Sequence, residues 1–420
     1  MDQADVVDAR DVDLTDRSLY RDGVPHEVFT RLRAAGGVHR HCAASIGGEP
    51  ETEFWSVVGH EATQRVSRDY ETFTAGDGPG IAPQPMYKAA GMIVALDPPE
   101  HTTLRKLIHA GFTPRMVSRL EANIERWAEV VLDEVVARGA DVVDFVSEIA
   151  YQLPMHVIAD IVGIPDSDRP WVFAQTDKLV RSFDPALGLT DMDRLGLQLE
   201  LFAYAQQLSK DKRERPTDDI WTTLTQAQVL DDSGQPRMLG EMELDGFFAI
   251  LAVAGSETSR NALSQGLMAL MDHRGQLAAL RADAALIPTA ADEVLRWSTP
   301  VLMWSRTATK DTQLDGVDIA AGDRIVLWLP SANRDEQVFT NPFSFDITRQ
   351  HNPHVTFGGG GPHYCLGANL AKKEIQVMLA ALLRRFAVID PAGEPQWMGA
   401  GPVHNVGVSV TRLPVHLVEA

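Results

Sequence analysis

The run Phe357-Gly358-Gly359-Gly360-Gly361-Pro362-His363-Tyr364-Cys365-Leu366-Gly367 joins a thiol to a glycine-rich approach, and the chain holds only one other cysteine, Cys42. From Gly367 to Phe386, apolar residues recur at Ala371, Ile375, Met378, Leu382 and Phe386, the spacing of a helical stripe. Cys365 is therefore expected at a helix N-terminus, where free N–H groups and the helix dipole favour an anion. Glycines let backbone lie flat against a bulky planar ligand. A thiolate placed there is the strongly donating ligand that some haem irons take. Two simpler readings compete. A lone cysteine is ordinarily a small buried hydrophobe, and His351, His354, His363 and Cys365 lie close enough in sequence to suggest zinc. Their spacing matches no structural zinc pattern, and no CxxC pair exists. Neither accounts for four consecutive glycines before the cysteine. The run points to haem, with Cys365 as the metal ligand.

A second place for chemistry lies between Leu244 and Leu270, apolar on nearly all sides around Phe247-Phe248-Ala249-Ile250-Leu251-Ala252-Val253. Such a helix belongs in a core. Within it stands Ala254-Gly255-Ser256-Glu257-Thr258, and a buried carboxylate is costly unless partnered. Either Glu257 turns to a wet face and pairs with Arg260, or it works with Thr258 on protons. Glu293 and Arg296 stand three apart, close enough to pair on one helix. Surface helices carry such pairs for little gain.

On these residues the chain resembles a bacterial cytochrome P450, over nearly its whole length from about Asp13 to Val418. The family's loop pattern is met by Phe357, Gly358, Gly360, His363, Cys365 and Gly367. Phe357 lies one residue further from Cys365 than in most members, a lengthening found in the branch that oxidises sterol side chains and branched lipids. The family's acid–alcohol motif falls on the segment 254–258. It implies that Gly255 opens the helix beside the haem, that the Thr258 hydroxyl faces dioxygen, and that Glu257 relays protons. Glu293 and Arg296, followed by Pro300, match the family's ExxR signature, there a buried structural pair. His101, Arg105, Arg306 and His363 fall where haem propionates find partners.

The same resemblance implies a substrate pocket lined by Val301, Leu302 and Met303, and by Phe247, Leu251 and Ala254. Met86, Tyr87, Phe183 and Val403 would complete it, and Trp304 either narrows it or serves as a core indole. Few charges in this set suggest a hydrophobic substrate positioned by shape. The implied fold is mainly α with a small β region, the cytochrome P450 fold. The implied cofactor is heme b, the co-substrate O2, and the electron source a ferredoxin with its ferredoxin reductase. Lys372 and Lys373 would give that acidic partner part of a basic patch. Segments 252–261 and 367–371 point to the branch acting on steroid side chains, terpenoids and methyl-branched lipids. Rival readings are a peroxide-driven or decarboxylating haem-thiolate enzyme, a non-catalytic haem sensor, and a zinc-stabilised helical protein.

Helices must position these groups. Thr113-Pro114 starts one, Leu120, Ile124, Trp127, Val131 and Val135 give it an apolar face, and Gly139 ends it. Ile319 to Leu329, after Asp315-Gly316, reads as a small hairpin. Lys210 to Pro216 and Asp231 to Pro236 read as polar loops, and Thr74 to Pro85 as irregular. The 420 residues divide at no repeat or linker, so residues 17–420 are expected as one catalytic domain behind a flexible acidic arm, 1–16. No apolar run approaches the ~20 residues that span a bilayer. A formal charge of −20 disfavours nucleic acid and anionic membrane as partners. Two cysteines and no export signal fit a reducing cytoplasm.

Overall fold

The computed structural model describes residues 12–46, 49–109, 112, 114–230, 234–403 and 407–420. Helices dominate, and the largest core lies where Pro114–Ala137, Gln152–Val162, Gly255–Asp272, Ile287–Ser298 and Ala368–Arg385 pack together. Ile124, Val131 and Val135 present the expected face of the first of these and are buried. Gly255–Asp272 is enclosed nearly all round. Its serines survive burial because their hydroxyls donate to carbonyls one turn back, Ser256 to Ala252 at 2.7 Å and Ser264 to Arg260 at 2.8 Å. Gly266 is required at the crossing with Ile287–Ser298, since a Cβ there would stand 2.5 Å from Val294 Cγ1.

A five-stranded sheet forms the second layer, in the order Val38–Ile46, Glu49–Val57, Arg324–Trp328, Met303–Ala308, Phe73–Thr74. Only the pairing of Glu49–Val57 with Arg324–Trp328 is parallel. Arg324–Trp328 is buried at every position, which is why it reads Ile-Val-Leu-Trp without alternation. The hairpin expected over 319–329 is displaced. Asp315-Gly316 joins Thr312–Leu314 to Val317–Ile319, and the apolar run beyond leaves to become that central strand. Lys210 to Glu214 is not loop but the end of the helix Asp191–Glu214, with Lys212 buried against Asp219. The arm expected over 1–16 falls largely on residues 1–11, outside the described residues; Leu14 is fully buried and accepts a hydrogen bond from Tyr20 Oη at 2.8 Å. Among the described residues, no helix is long and apolar enough to cross a membrane.

Candidate active site

Cys365 sits just before the helix Ala368–Arg385, and its exposed surface borders an interior cavity. Protein encloses the sulfur otherwise, and this burial pushes its thiol pKa up, opposed by the Gly367 backbone N–H and the Arg105 charge. The lengthened loop closes on itself: the Cys365 N–H donates to the Phe357 carbonyl at 2.9 Å. Phe357 borders the cavity, its ring edge-on to Tyr364. The glycines also meet a neighbour that the sequence did not reveal. Gly358, Gly360 and Gly361 take φ of +94°, +101° and +76°, and a Cβ on Gly361 would stand 2.3 Å from the Ser67 carbonyl oxygen. A Cβ on Gly359 would lie 2.8 Å from Gln64 Cα. The helix His60–Arg68 therefore forbids side chains at Gly359 and Gly361; Gly358, Gly359 and Gly360 border the cavity, where the backbone can lie against a ligand.

One end of the cavity gathers nitrogen donors. The helix Glu100–His109 supplies His101 and Arg105, the strand Met303–Ala308 supplies Arg306, and the cysteine loop supplies His363. The two imidazoles lie 4.2 Å apart, and His101 Nδ1 and His363 Nε2 are buried without a hydrogen-bond partner among the described residues. Burial pushes His101 down to about 4 and Arg306 down to about 10. Arg105 donates to the Tyr364 carbonyl at 2.6 Å. Two cations and two orphaned ring nitrogens suit a pair of carboxylates. With a thiol against an apolar space, the donor set fits haem, its propionates toward this end and its iron toward Cys365.

Across the cavity, the residues Ile250–Ala254 form one π-helical turn before Gly255. Wide turns of this kind mark functional sites. Gly255 itself is helical at φ −71°, and its smallness admits Ile158, whose Cγ1 would be 3.2 Å from a Cβ. Thr258 Oγ1 borders the cavity and donates to the Ala254 carbonyl at 2.8 Å. Glu257 takes the other side of the helix. It is buried, pairs with Arg260 and accepts from Ser409 Oγ at 2.7 Å. Arg260 in turn donates to Asp177, which is partly exposed. The Arg260 pairing anticipated for Glu257 is therefore present, but inside the protein rather than on a wet face.

The pocket residues divide by geometry. Phe247, Leu251, Ala254 and Val301 border the cavity, as do Trp304, Ile93 and Phe112. Leu302 and Met303 do not: both are buried in a separate core with Trp328 and Phe54. Strand alternation explains Met303, because Trp304 and Arg306 take the cavity side and Met303 and Ser305 must face away; Leu302 precedes the strand and is not bound by its period. Met86 is 80% exposed on the short helix Pro85–Ala89. Tyr87 and Phe183 are half-buried away from the cavity lining, the latter under the Arg194 guanidinium. Val403 ends the turn Gly401–Val403, and its side chain lies outside the described residues. Gly367 borders the cavity at the helix start.

Glu293 and Arg296 are fully buried and bidentate, at 2.8 and 2.7 Å. Lys372 pairs with Asp292 at 2.7 Å and Lys373 with Glu121 at 2.9 Å, so the expected basic patch is partly neutralised. A separate open groove of about 580 Å³, between Pro114–Ala137 and Ala368–Arg385, is lined by charged side chains such as Glu125 and Arg384, with the Lys373–Glu121 pair on its wall. One residue that sequence reasoning passed over stands out. Glu374 borders the cavity, is buried, and accepts from Ser259 Oγ at 2.8 Å.

Known proteins are similar to this chain over most of its length. The cytochrome P450 family model matches residues 25–409. The steroid C26-monooxygenase of Rhodococcus jostii (strain RHA1) is 37% identical over 403 residues, 94% of this chain and 83% of that protein. The methyl-branched lipid omega-hydroxylase of Mycobacterium bovis is 36% identical over 84% of this chain and 82% of its own length. In structure, the Mycobacterium marinum cytochrome P450 CYP268A2 in complex with pseudoionone superposes with a TM-score of 0.87 at 35% identity, covering 95% of this chain and 96% of that one. The chain belongs to the cytochrome P450 family and is a haem-thiolate monooxygenase.

Proposed function

We propose that this enzyme hydroxylates an extended hydrophobic molecule, a steroid side chain, terpenoid or methyl-branched lipid, with electrons supplied by a ferredoxin and its reductase. The observation that carries the reading is the cavity wall. Between the cationic end and the π-helical turn it is built of Ile93, Phe112, Phe247, Leu251, Val301 and Trp304, with no charged side chain among them. Such a wall selects by shape and excludes water. The relatives named for steroid C26 oxidation and for omega-hydroxylation of methyl-branched lipids support the same class. When bound, the haem supplies oxygen activation and transfer.

The chain's own residues hold, orient and supply protons. Cys365 donates its sulfur, while His101, Arg105, Arg306 and His363 anchor the propionates. Gly255 and the wide turn before it make room at the helix, and Thr258 presents a hydroxyl able to pass a proton at Oγ1. Glu257 acts from behind, its carboxylate linked through Arg260 and Asp177 toward solvent. Lys372 and Lys373, beside the ligand helix, offer part of the docking surface for an acidic electron donor. Phe357 and Gly367 fix the two ends of the cysteine loop.

A panel of steroid ketones, terpenes and branched fatty acids tests the substrate class by the spin-state shift of the haem spectrum. Saturable shifts are expected for steroids or branched lipids; shifts confined to aromatic acids or macrolides would overturn the assignment. Thr258→Ala tests the proton role. Its yield of product per reductant consumed should fall by roughly a hundredfold, the lower range for loss of a positioned acid–base group, while reductant consumption continues. Unchanged yield would remove Thr258 from proton delivery.

A further inference from the structure

Glu257, Glu293 and Glu374 are buried carboxylates whose surroundings differ. Glu257 faces Arg260 and Ser409. Glu293 faces Arg296, Arg349 and Asn352. Glu374, 3% exposed, has a single hydrogen-bond partner among the described residues, the Ser259 hydroxyl, and no cation among them. Ser259 directly follows Thr258 on the distal helix, and both serine and glutamate border the cavity.

We infer that Glu374 stores a proton whose binding is linked to the electron count of the active site, so that an electron entering the haem while this side chain is ionised is accompanied by a proton on it. The inference rests on the haem reading above. An electron from a one-electron donor reduces ferric to ferrous iron, and a proton from water forms the O–H bond on Glu374. The two charges cancel. An isolated carboxyl inside protein feels a nearby change of charge strongly, because little solvent screens it. Linkage then requires the converse: ionising Glu374 must make reduction harder.

Among the described residues, charges on the packed elements leave Glu374 uncompensated. On Pro114–Ala137, Glu121 binds Lys373, while Glu125, Arg126 and Glu129 line the outer groove, Glu129 meeting Arg384. On Ile287–Ser298, Asp292 binds Lys372, and Glu293 with Arg296 closes its own network. On Gly255–Asp272, Glu257 and Arg260 turn toward Ser409 and Asp177. On Phe386–Pro391, Asp390 pairs with Arg274. Burial alone pushes Glu374 up to about 8, opposed only by Ser259. The group is neutral below that pH.

Spectroelectrochemical titration of the ferric/ferrous couple, with dithionite as reductant, tests this on the haem-loaded enzyme. The wild-type potential should be level below pH about 8 and fall as pH rises beyond it, whereas Glu374→Gln should stay level throughout. A second readout is the infrared C=O band of a protonated carboxyl at neutral pH, present in wild type and lost in the variant. An identical slope in both proteins, or a level potential in wild type, overturns the proposal. If Glu374→Gln fails to retain haem, Ser259→Ala takes its place. Loss of that O–H donor disfavours the carboxylate, so the break must move to higher pH; an unmoved break overturns the proposal. Colourless wild-type protein would instead sink the haem reading itself.

Discussion

Cys365→Ser is expected to fold, to make no oxygenated product, and to lose the ferrous-carbonyl spectrum of a thiolate-ligated haem. Folding survives because the loop is held by main chain. The Cys365 N–H to Phe357 carbonyl bond is indifferent to the side chain, as is the Gly358 N–H to Val355 carbonyl bond at 2.8 Å. The positive φ values belong to the glycines, not to the cysteine. Function does not survive, because a serine hydroxyl stays protonated and is a hard, weakly donating oxygen where a soft anionic sulfur is needed. Cys42→Ser is the control. Cys42 is exposed on the strand Val38–Ile46, and its loss should leave spectrum and turnover unchanged. If Cys365→Ser kept the wild-type carbonyl spectrum, the ligand would lie elsewhere. If Cys42→Ser abolished it, the assignment of the two cysteines would be reversed.

The cysteine loop was legible in sequence because glycine, thiol and helix start are local features. What packs against its glycines was legible only in part. Sequence shows that a side chain is forbidden, but not whether ligand or helix forbids it; here His60–Arg68, nearly three hundred residues upstream by sequence, occupies the space. Leu302 and Met303 were assigned to the pocket because they are apolar and near Pro300. A strand's period of two sends Met303 away from its neighbour Trp304, and the strand start was not read from the sequence. Glu257 was placed on the right helix, but the Ser409 and Asp177 that share its network come from distant segments. Glu374 could have been found. It lies four residues from both Leu370 and Met378, all three buried, so a carboxylate interrupts the apolar stripe. Only tertiary structure reveals that its partner is the neighbour of Thr258.

The Glu293–Arg296 pair shows how far a weak sequence signal can grow through packing, and it supports the largest stability prediction. Arg296 donates to the carbonyls of Asn333 and Pro342 at 3.0 and 2.8 Å, and to that of Ser344 at 3.2 Å. Glu293 accepts from Arg349 Nε at 3.1 Å, from Asn352 Nδ2 at 3.2 Å and from the Asp346 N–H at 2.9 Å. These bonds tie the helix Ile287–Ser298 to the chain that leads into the cysteine loop. Asn333 bridges to Thr356 Oγ1 at 2.9 Å, and Thr356 returns to the Leu295 carbonyl at 2.9 Å. Arg296→Leu takes the bidentate cation from a buried carboxylate, leaving it Arg349 alone, and strands three carbonyls, so it should cost about 3–5 kcal/mol. Arg296→Lys should fare little better, since one ammonium cannot reproduce a planar fork reaching five acceptors. A double variant, Glu293→Leu with Arg296→Leu, removes that carboxylate as well and should recover part of the loss, but not all, because Arg349 and Asn352 lose their acceptor. Haem release should accelerate in the same order, followed by the decay of haem absorbance on heating. Thermal midpoints and haem retention of Arg296→Leu matching wild type would mean that the network is redundant, and that the cysteine loop is held by its own main-chain bonds alone.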